Sequence, residues 1–549
     1  MFQRLKKVFY VLFICGISGL LAASCDIHKA SDALSNVNLV IGLQPITTTV
    51  SGAFTDAKTG DLINNVTLSF MGNGAGDVID MFSDPISQQT FKGGFASFGI
   101  DNNVAPSSSN PLSFTIVAKA SGYQTTYKKV ILKDTTHFSF NMSMVNTKNP
   151  PSGTSSGSNT TATTTSSGAV TQSYSVQTQT NANASSTASM SVPDSTVMTD
   201  ANGDPLSGSL TTNMTYFADS ASAISQMPGG FSEGQITAGF TEITITDANN
   251  KKAAHFSKPV TVTFEVSSNM VNPVTGTEYQ SGDSMLVRSY DENSGQWKDE
   301  GMAVLTGPNS NGNFDATYKI SHLSYYSIGV NGIKTTTNGA TIKINRNGHT
   351  GQLHCFAYGY AGDASGTTPK SAYYVDEVNI PAGTNQITLP VSGDKVPEVN
   401  GWFLVDGFPN YSWFGYYWQY VSNLGSGTYT INLPAAPSNS IDVTFNVQPI
   451  CSDPAKKLHV KNLSTAVLSY KSDSNNKAQW TQVPLSDKNW QFDNATQALT
   501  GATVTVNGLI NGQSYTFKLS FDGKTYSKDI TISGKKMTIS QTISGSYCK

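Results

Sequence analysis

Short segments in which apolar and small polar residues alternate restrict the fold of this chain most. Residues 66–70, 242–246 and 260–264 follow this pattern, and clusters of Gly, Asp and Asn separate such segments. A period of two places one set of side chains on the buried face of a β-sheet and the other set in solvent. The sequence therefore predicts an all-β chain of tandem antiparallel β-sandwich domains.

Length and charge limit the number of domains and the kind of partner. The chain has 549 residues, too many for one hydrophobic core, which predicts several domains. Only 13% of the residues are charged, against about 25% in an average soluble protein. The formal net charge is −3, and Lys and Arg cluster only in the first few residues. Such a chain has little charge to neutralise phosphates, so we expect no nucleic-acid partner.

The N-terminus has a positive leader with Arg4, Lys6 and Lys7, an apolar run over 8–21, and small residues before Cys25. This arrangement resembles the signal of bacterial lipoproteins, and most closely that of the Bacteroidota. The resemblance implies cleavage before Cys25 and attachment of a diacylglycerol to its thiol. It also implies an anchor in a membrane of the cell envelope, expected to be the outer membrane, on either its periplasmic face or the cell surface.

Two alternatives for this N-terminus are an ordinary secretory signal and an uncleaved helix. The apolar run is shorter than the roughly 20 residues that a helix needs to span a bilayer. In the lipoprotein interpretation, residues 1–24 form the signal peptide and residues 25–46 form a polar tether.

Residues 47–147 carry strand and turn signals in a recognisable order. Gly52 lies in a first alternating segment, a Thr59-Gly60 turn follows, and Gly122-Tyr123 comes before the last strand. This order is similar to that of the carboxypeptidase regulatory-like (transthyretin-like) domain. The resemblance implies a small antiparallel sandwich that acts as an accessory module without a catalytic zinc site.

Residues 148–168 are almost entirely Pro, Ser, Gly, Thr and Asn. A segment of this composition cannot bury enough apolar surface to fold by itself. The sequence therefore predicts a flexible linker between the first sandwich and the rest of the chain.

Residues 169–334 form the largest β-rich unit, and only 216–227 suggest a helix within it. Near its end, a Trp-x-x-Glu-Gly hairpin is followed by His322-Leu323-Ser324. This pair of motifs resembles the self-cleaving strands of GAIN and ZU5-type domains. The resemblance implies cleavage between Leu323 and Ser324, with His322 as the base for the Ser324 hydroxyl. Alternatively His322 is a strand-end residue with a structural hydrogen bond, because His-Phe-Ser occurs twice elsewhere in the chain.

Residues 336–435 contain an unusually dense run of aromatic residues between 402 and 420. One face of one strand cannot hold them all, so we expect some rings to point outward, where flat rings stack on sugars or anchor protein partners. The alternative is core packing of a small sandwich. The candidate binding platform for a glycan or a surface protein consists of Trp402, Tyr411, Trp413, Tyr416 and Trp418.

Residues 440–549 form a last β-rich unit with a loose similarity to fibronectin type III and transthyretin-like strands. Cys451 and Cys548 flank this unit. In an oxidising compartment, a bridge between them would stabilise the unit by up to about 4–5 kcal/mol in the chain-entropy model.

The sequence offers little for enzyme chemistry. No HExxH motif or phosphate-binding loop occurs, and His349, His354 and Cys355 lack a fourth ligand for zinc, so we expect no metal and no cofactor. We predict a non-enzymatic envelope lipoprotein that serves adhesion or ligand binding. The alternatives are the self-cleaving module and a passive structural stalk.

Overall fold

The computed structural model describes residues 46–549 apart from 81–82, 183, 219–220, 232, 360–373, 407–416, 460–465, 474–479, 486–488, 494, 497, 522–523, 544–547 and 549. Nearly all of the described secondary structure is β, which confirms the predicted fold class of tandem β-sandwiches. Among the described residues, no helix has the length and apolar character needed to cross a bilayer.

The first sandwich packs two four-stranded sheets with strand orders β3-β5-β1-β8 and β4-β2-β6-β7. Its core contains Phe54, Phe98 and Phe114, which are completely or almost completely buried. All pairs are antiparallel except β1 with β8. The strands are β1 (Thr49–Asp56), β2 (Val66–Met71), β3 (Val78–Ile79), β4 (Gln88–Phe91), β5 (Phe95–Ile100), β6 (Leu112–Lys119), β7 (Thr126–Leu132) and β8 (Phe138–Met144), and a 3-10 turn covers Ala75–Asp77.

The second unit is one large antiparallel sheet that curls around its core. Its path runs from β14 through β15, β22, β19, β20, β21, β16 and β12 to β11, and β9 pairs with β14. An isolated bridge between Ser156 and Gln179 joins the two ends of this path. The elements are β9 (Thr154–Asn159), β10 (Thr163–Thr164), β11 (Tyr174–Gln177), β12 (Ala188–Val192), β13 (Met198–Thr199), β14 (Gly208–Phe217), α1 (Ala221–Ile224), β15 (Thr237–Asp247), β16 (His255–Val266), β17 (Val271–Asn272), β18 (Thr277–Glu278), β19 (Ser284–Asp291), β20 (Gln296–Thr306), β21 (Phe314–His322) and β22 (Tyr325–Gly329).

The third sandwich packs a sheet of order β27-β24-β31 against one of order β26-β25-β29-β30. Its strands are β23 (Thr335–Thr336), β24 (Thr341–Asn345), β25 (Leu353–Gly359), β26 (Tyr374–Ile380), β27 (Gln386–Thr388), β28 (Val396–Pro397), β29 (Gly401–Val405), β30 (Tyr417–Val421) and β31 (Thr428–Asn432). The sheet β26-β25-β29-β30 carries the candidate site described below.

The fourth sandwich has sheets of order β35-β36-β32-β39 and β34-β33-β37-β38. Cys451 and Cys548 form a disulfide, with their Cα atoms 5.8 Å apart. The strands are β32 (Ser440–Cys451), β33 (Val467–Ser472), β34 (Thr481–Pro484), β35 (Trp490–Phe492), β36 (Leu499–Ile510), β37 (Ser514–Phe521), β38 (Lys524–Thr531) and β39 (Lys536–Ile543).

The prediction of a flexible linker over 148–168 is wrong, because Thr154–Asn159 forms β9 and pairs with β14 at six consecutive positions. Small hydroxyl side chains suit this place: Ser155 is buried and its Oγ donates to Thr178 Oγ1 at 2.8 Å. A Cβ on Gly157 would lie 2.0 Å from the Gln177 carbonyl oxygen. Composition indicates disorder only when no neighbouring sheet supplies hydrogen bonds, and here β14 supplies them.

The first sandwich contacts each of the other three, so the chain does not have a first domain held apart by a spacer. Tyr127 Oη donates to Glu292 of the second unit at 3.1 Å. Lys129 Nζ lies 2.6 Å from Asp394 of the third sandwich. Gln482 Nε2 of the fourth sandwich donates to the Phe140 carbonyl at 3.0 Å. These contacts bring the four units around one central cleft, which residues of all four line.

Candidate functional site

The sheet β26-β25-β29-β30 has two faces of opposite character because side chains alternate along each strand. Cys355, Ala357, Phe403 and Val405 point into the core of the third sandwich and are completely buried. The other side of the sheet, called the outer face from here on, bears eleven described residues in register. They are Val375, Glu377, Asn379, His354, Phe356, Tyr358, Trp402, Leu404, Asp406, Trp418 and Tyr420.

The aromatic end of the outer face is a set of interlocked rings. The ring centroids of Trp402 and Trp418 are 4.5 Å apart at 87°, and those of Trp402 and Tyr420 are 5.1 Å apart. Trp402 is only 7% exposed, whereas Trp418 keeps 43% of its surface in solvent. Edge-to-face contacts of this kind fix the orientation of a ring. The buried Trp402 therefore holds Trp418 in place as an open, rigid apolar surface.

The polar end of the outer face is built around His354. Its Nε2 lies 2.8 Å from Glu377 Oε1, and its Nδ1 lies 3.5 Å from Asp406 Oδ2. Burial alone would lower the pKa of His354, but the hydrogen bonds to Asp406 and Glu377 outweigh burial and raise the pKa to about 9. The imidazole is therefore a cation at neutral pH and donates from both nitrogens.

Glu377 is correspondingly ionised. Burial would raise its pKa, but the charge of Lys128 and the hydrogen bond to His354 outweigh burial and hold the pKa near 2. Lys128 belongs to the first sandwich, and its Nζ lies 3.7 Å from Glu377 Oε2. The polar end is thus completed by a residue from another domain.

The polar end lies in the wall of the central cleft, which has a volume of about 1570 Å³. Residues of β7 and β8 of the first sandwich and of β33 and β34 of the fourth sandwich also line this cleft. His354, Phe356 and Tyr358 face the cleft, while the ring of Trp418 extends the same face toward solvent. The outer face thus joins a polar recess to an exposed aromatic surface.

The structure places two residues of the predicted platform, Trp402 and Trp418, in direct contact. Tyr411, Trp413 and Tyr416 lie outside the described residues. His354, Glu377 and Asp406 are not recognisable as a group from the sequence. The alternation His354-x-Phe356-x-Tyr358 indicates one side of a strand, but no sequence signal shows that Glu377 and Asp406 lie on its neighbours.

The predicted self-cleavage residues lie at the junction of β21 and β22. His322 Nε2 is 3.2 Å from Glu300 Oε1, whereas the Ser324 hydroxyl donates to the Tyr290 carbonyl oxygen. The Leu323 amide donates to the Ala254 carbonyl at 2.8 Å. Each group thus has its own partner, and in this arrangement the imidazole is not hydrogen-bonded to the hydroxyl that it would have to deprotonate.

The remaining predicted sites are positioned as follows. Cys25 lies outside the described residues. Cys355 is buried in the core, on the opposite side of β25 from His354, so the two side chains cannot share a ligand. His349 Nε2 lies 3.0 Å from the Pro434 carbonyl oxygen. In the described part of the chain, no group of three or more His, Cys, Asp and Glu residues is arranged to hold a metal ion.

Comparisons with known proteins do not place the chain in a family. No family model and no curated protein matches it. A solved leucine-rich repeat protein from Bacteroides thetaiotaomicron matches at 10% identity over 39% of this chain and 27% of that one, with a TM-score of 0.15. A Streptococcal ancillary pilin matches at 10% identity over 49% of this chain and 94% of its own, with a TM-score of 0.14.

The major pilin subunit of Bacillus cereus matches at 7% identity over 90% of this chain and 99% of its own, also with a TM-score of 0.14. Scores this low carry no argument about function. What the structure itself defines is a modular protein of β-sandwich domains. The resemblances to lipoprotein signals, carboxypeptidase regulatory-like domains and GAIN/ZU5-like strands remain predictions from sequence.

Proposed function

We propose that this chain is a non-enzymatic lipoprotein of a bacterial envelope that binds carbohydrate on the outer face of its third sandwich. The observation that supports this most is the exposed, rigidly held Trp418, next to a cluster of charged hydrogen-bonding groups on the same sheet. Sugars present apolar C–H faces and hydroxyl edges together. A site that offers a flat ring beside carboxylates and an imidazolium matches both features.

The contacts around Trp418 favour binding over a purely structural role. A ring needed only for packing would be expected to be buried, since aromatic side chains contribute most when they leave water. Trp418 instead leaves 43% of its surface open while Trp402 beneath it is buried. This arrangement favours a ligand-binding protein over the passive stalk.

The experiment is a glycan array probed with the purified chain lacking residues 1–24, followed by titration calorimetry on the best saccharide. The Trp418→Ala variant should lose most of the affinity. Phe492→Ala is the matched control, since Phe492 is a similarly exposed aromatic residue, at 41%, on the fourth sandwich. If the chain binds no saccharide, or if Trp418→Ala binds as well as Phe492→Ala does, the proposal is wrong.

The membrane anchor is a separate part of the proposal and has its own test. In bacteria that express the full chain, Cys25 should incorporate radiolabelled palmitate and the protein should fractionate with membranes. The Cys25→Ala variant should do neither. Labelling that persists in this variant would contradict the anchor.

A further inference from the structure

We infer that the polar end of the outer face is a subsite for the hydroxyl groups of an uncharged oligosaccharide, and that Lys128 of the first sandwich completes it. This inference rests on the proposed function and adds the chemical class of the ligand. It also makes the binding site shared between two domains.

The charges of the cluster balance locally. The His354 imidazolium and the Lys128 ammonium carry two positive charges, and the carboxylates of Glu377 and Asp406 carry two negative ones. An anionic ligand would meet two carboxylates as well as the two cations, and a cationic ligand would meet an imidazolium and an ammonium as well as the two carboxylates. The cluster therefore gives a ligand of either charge no net attraction, while an ion would still have to leave water to enter a partly desolvated site. We therefore expect the subsite to favour a neutral polar ligand over either ion.

The cluster also keeps hydrogen-bonding capacity for a ligand. A carboxylate offers about four lone-pair positions. Glu377 uses them for His354 Nε2, for the ammonium of Lys128, and for the side chain of Asn141 from the first sandwich. The side chain of Glu377 also keeps 29% of its surface exposed, so a hydroxyl donor can reach it. Hydrogen bonds to a charged group are stronger than those between neutral groups, which suits them to orient a sugar ring.

The position of the cluster sets a minimum length for the ligand. Trp418 lies on β30, and Glu377 lies on β26, three strands away in the order β26-β25-β29-β30. Neighbouring strands are about 4.8 Å apart, so Glu377 and Trp418 are separated by roughly 14 Å across the sheet. Phe356 and Leu404 lie between them in the same register row. A ligand that touches both Glu377 and Trp418 must contain more than one sugar ring.

A structural role explains the cluster less well. Burying two ion pairs in the wall of a cleft gains little stability over apolar residues of the same volume. The first sandwich already has a closer contact with the third, at Lys129 and Asp394, 2.6 Å apart. Ionisable groups that are strongly perturbed and face a cleft are found preferentially at functional sites.

The test compares matched neutral and acidic oligosaccharides on the array, and then titrates the best ligand against variants. The wild type should prefer the neutral series, and Glu377→Gln should weaken binding by about 10-fold because one charged acceptor is lost. Lys128→Met should weaken binding as well, although it lies in another domain. Glu398→Gln is the control, because Glu398 is an exposed carboxylate on the same sandwich.

If Trp418→Ala weakens binding while Glu377→Gln and Lys128→Met bind normally, the aromatic site stands and the polar subsite does not exist. A preference for acidic saccharides would also overturn the subsite. If circular dichroism shows that Glu377→Gln is misfolded, the pH dependence of saccharide binding by the wild type is measured instead. The affinity should fall as pH rises through about 9, where His354 loses its proton. Constant affinity across that range would refute the role of His354.

Discussion

Acid should loosen the contact between the first and fourth sandwiches, because His137 is held there in its neutral form. Its Nδ1 lies 2.8 Å from Thr49 Oγ1 and its Nε2 lies 3.0 Å from Ser51 Oγ. Ser51 in turn donates to Gln482 Oε1 of the fourth sandwich. Desolvation by burial lowers the pKa of His137 to about 4, against 6.5 for a free imidazole.

The size and sign of the effect follow from this shift. Above pH 6.5, His137 is neutral in both the closed and the open state, so it does not affect the equilibrium between them. As pH falls toward 4, the imidazole takes up a proton more readily in the open state, and this favours opening. A pKa difference of about 2.5 corresponds to a free energy of roughly 3 kcal/mol in favour of the open state. Because the ring is only partly buried, and because the full difference is reached only below pH 4, we expect about 2 kcal/mol at pH 4.5. That is about a 30-fold rise in the opening equilibrium.

Hydrogen–deuterium exchange of peptides that cover Thr49–Asp56 and Thr481–Pro484 measures this opening directly. The wild type and His137→Gln are compared at pH 7.5 and at pH 4.5, so that the intrinsic effect of pH on exchange cancels. The wild type should lose about 2 kcal/mol of protection on acidification, and His137→Gln should lose much less. His255→Gln, at an exposed histidine, is the control. An equal loss in the wild type and His137→Gln would show that His137 does not control this opening.

Three further predictions concern stability and processing. Reduction of the bond between Cys451 and Cys548 should destabilise the fourth sandwich by about 4–5 kcal/mol, since the bridge closes a loop of 97 residues; unchanged guanidinium unfolding under reducing conditions would contradict this. Gly157→Ala should lower the free energy of unfolding by about 1–3 kcal/mol, because the new Cβ meets the Gln177 carbonyl. Gly76→Ala, whose Cβ meets nothing within 4 Å, should lower it little. Equal melting temperatures for the two variants would count against the placement of β9. The purified protein should run as one intact band on a denaturing gel, as should Ser324→Ala, and two fragments in the wild type alone would show self-cleavage.

The fold class could be predicted from the sequence because β-sheet periodicity is local. Segments such as 66–70 and 242–246 lie in β2 and β15, and their alternation follows from one buried and one solvated face. The strand β9 could not be predicted in this way. Its residues have no apolar alternation, and its hydrogen bonds come from β14, more than 50 residues along the chain.

The candidate site could be predicted only in part, for the same reason. A dense aromatic run around Trp402 and Trp418 is visible in the sequence, and their pairing across β29 and β30 makes them neighbours. The charged cluster is assembled from β25, β26, β29 and the first sandwich. Its members become a site only when domains pack together, which is a long-range property that neither composition nor spacing carries.

If the outer face of the third sandwich binds saccharide as proposed, the ring of Trp418 contributes a measurable part of the affinity. Trp418 is 43% exposed, so about 110 Å² of its surface of about 250 Å² is open to solvent. A sugar can cover about half of this open area. At about 25 cal/mol per Å², this contact contributes about 1.3 kcal/mol, or roughly a 10-fold change in affinity. Titration calorimetry with the best saccharide from the array should therefore show about 10-fold weaker binding for Trp418→Ala and unchanged binding for Phe492→Ala. Equal affinities for these two variants and the wild type would contradict the account.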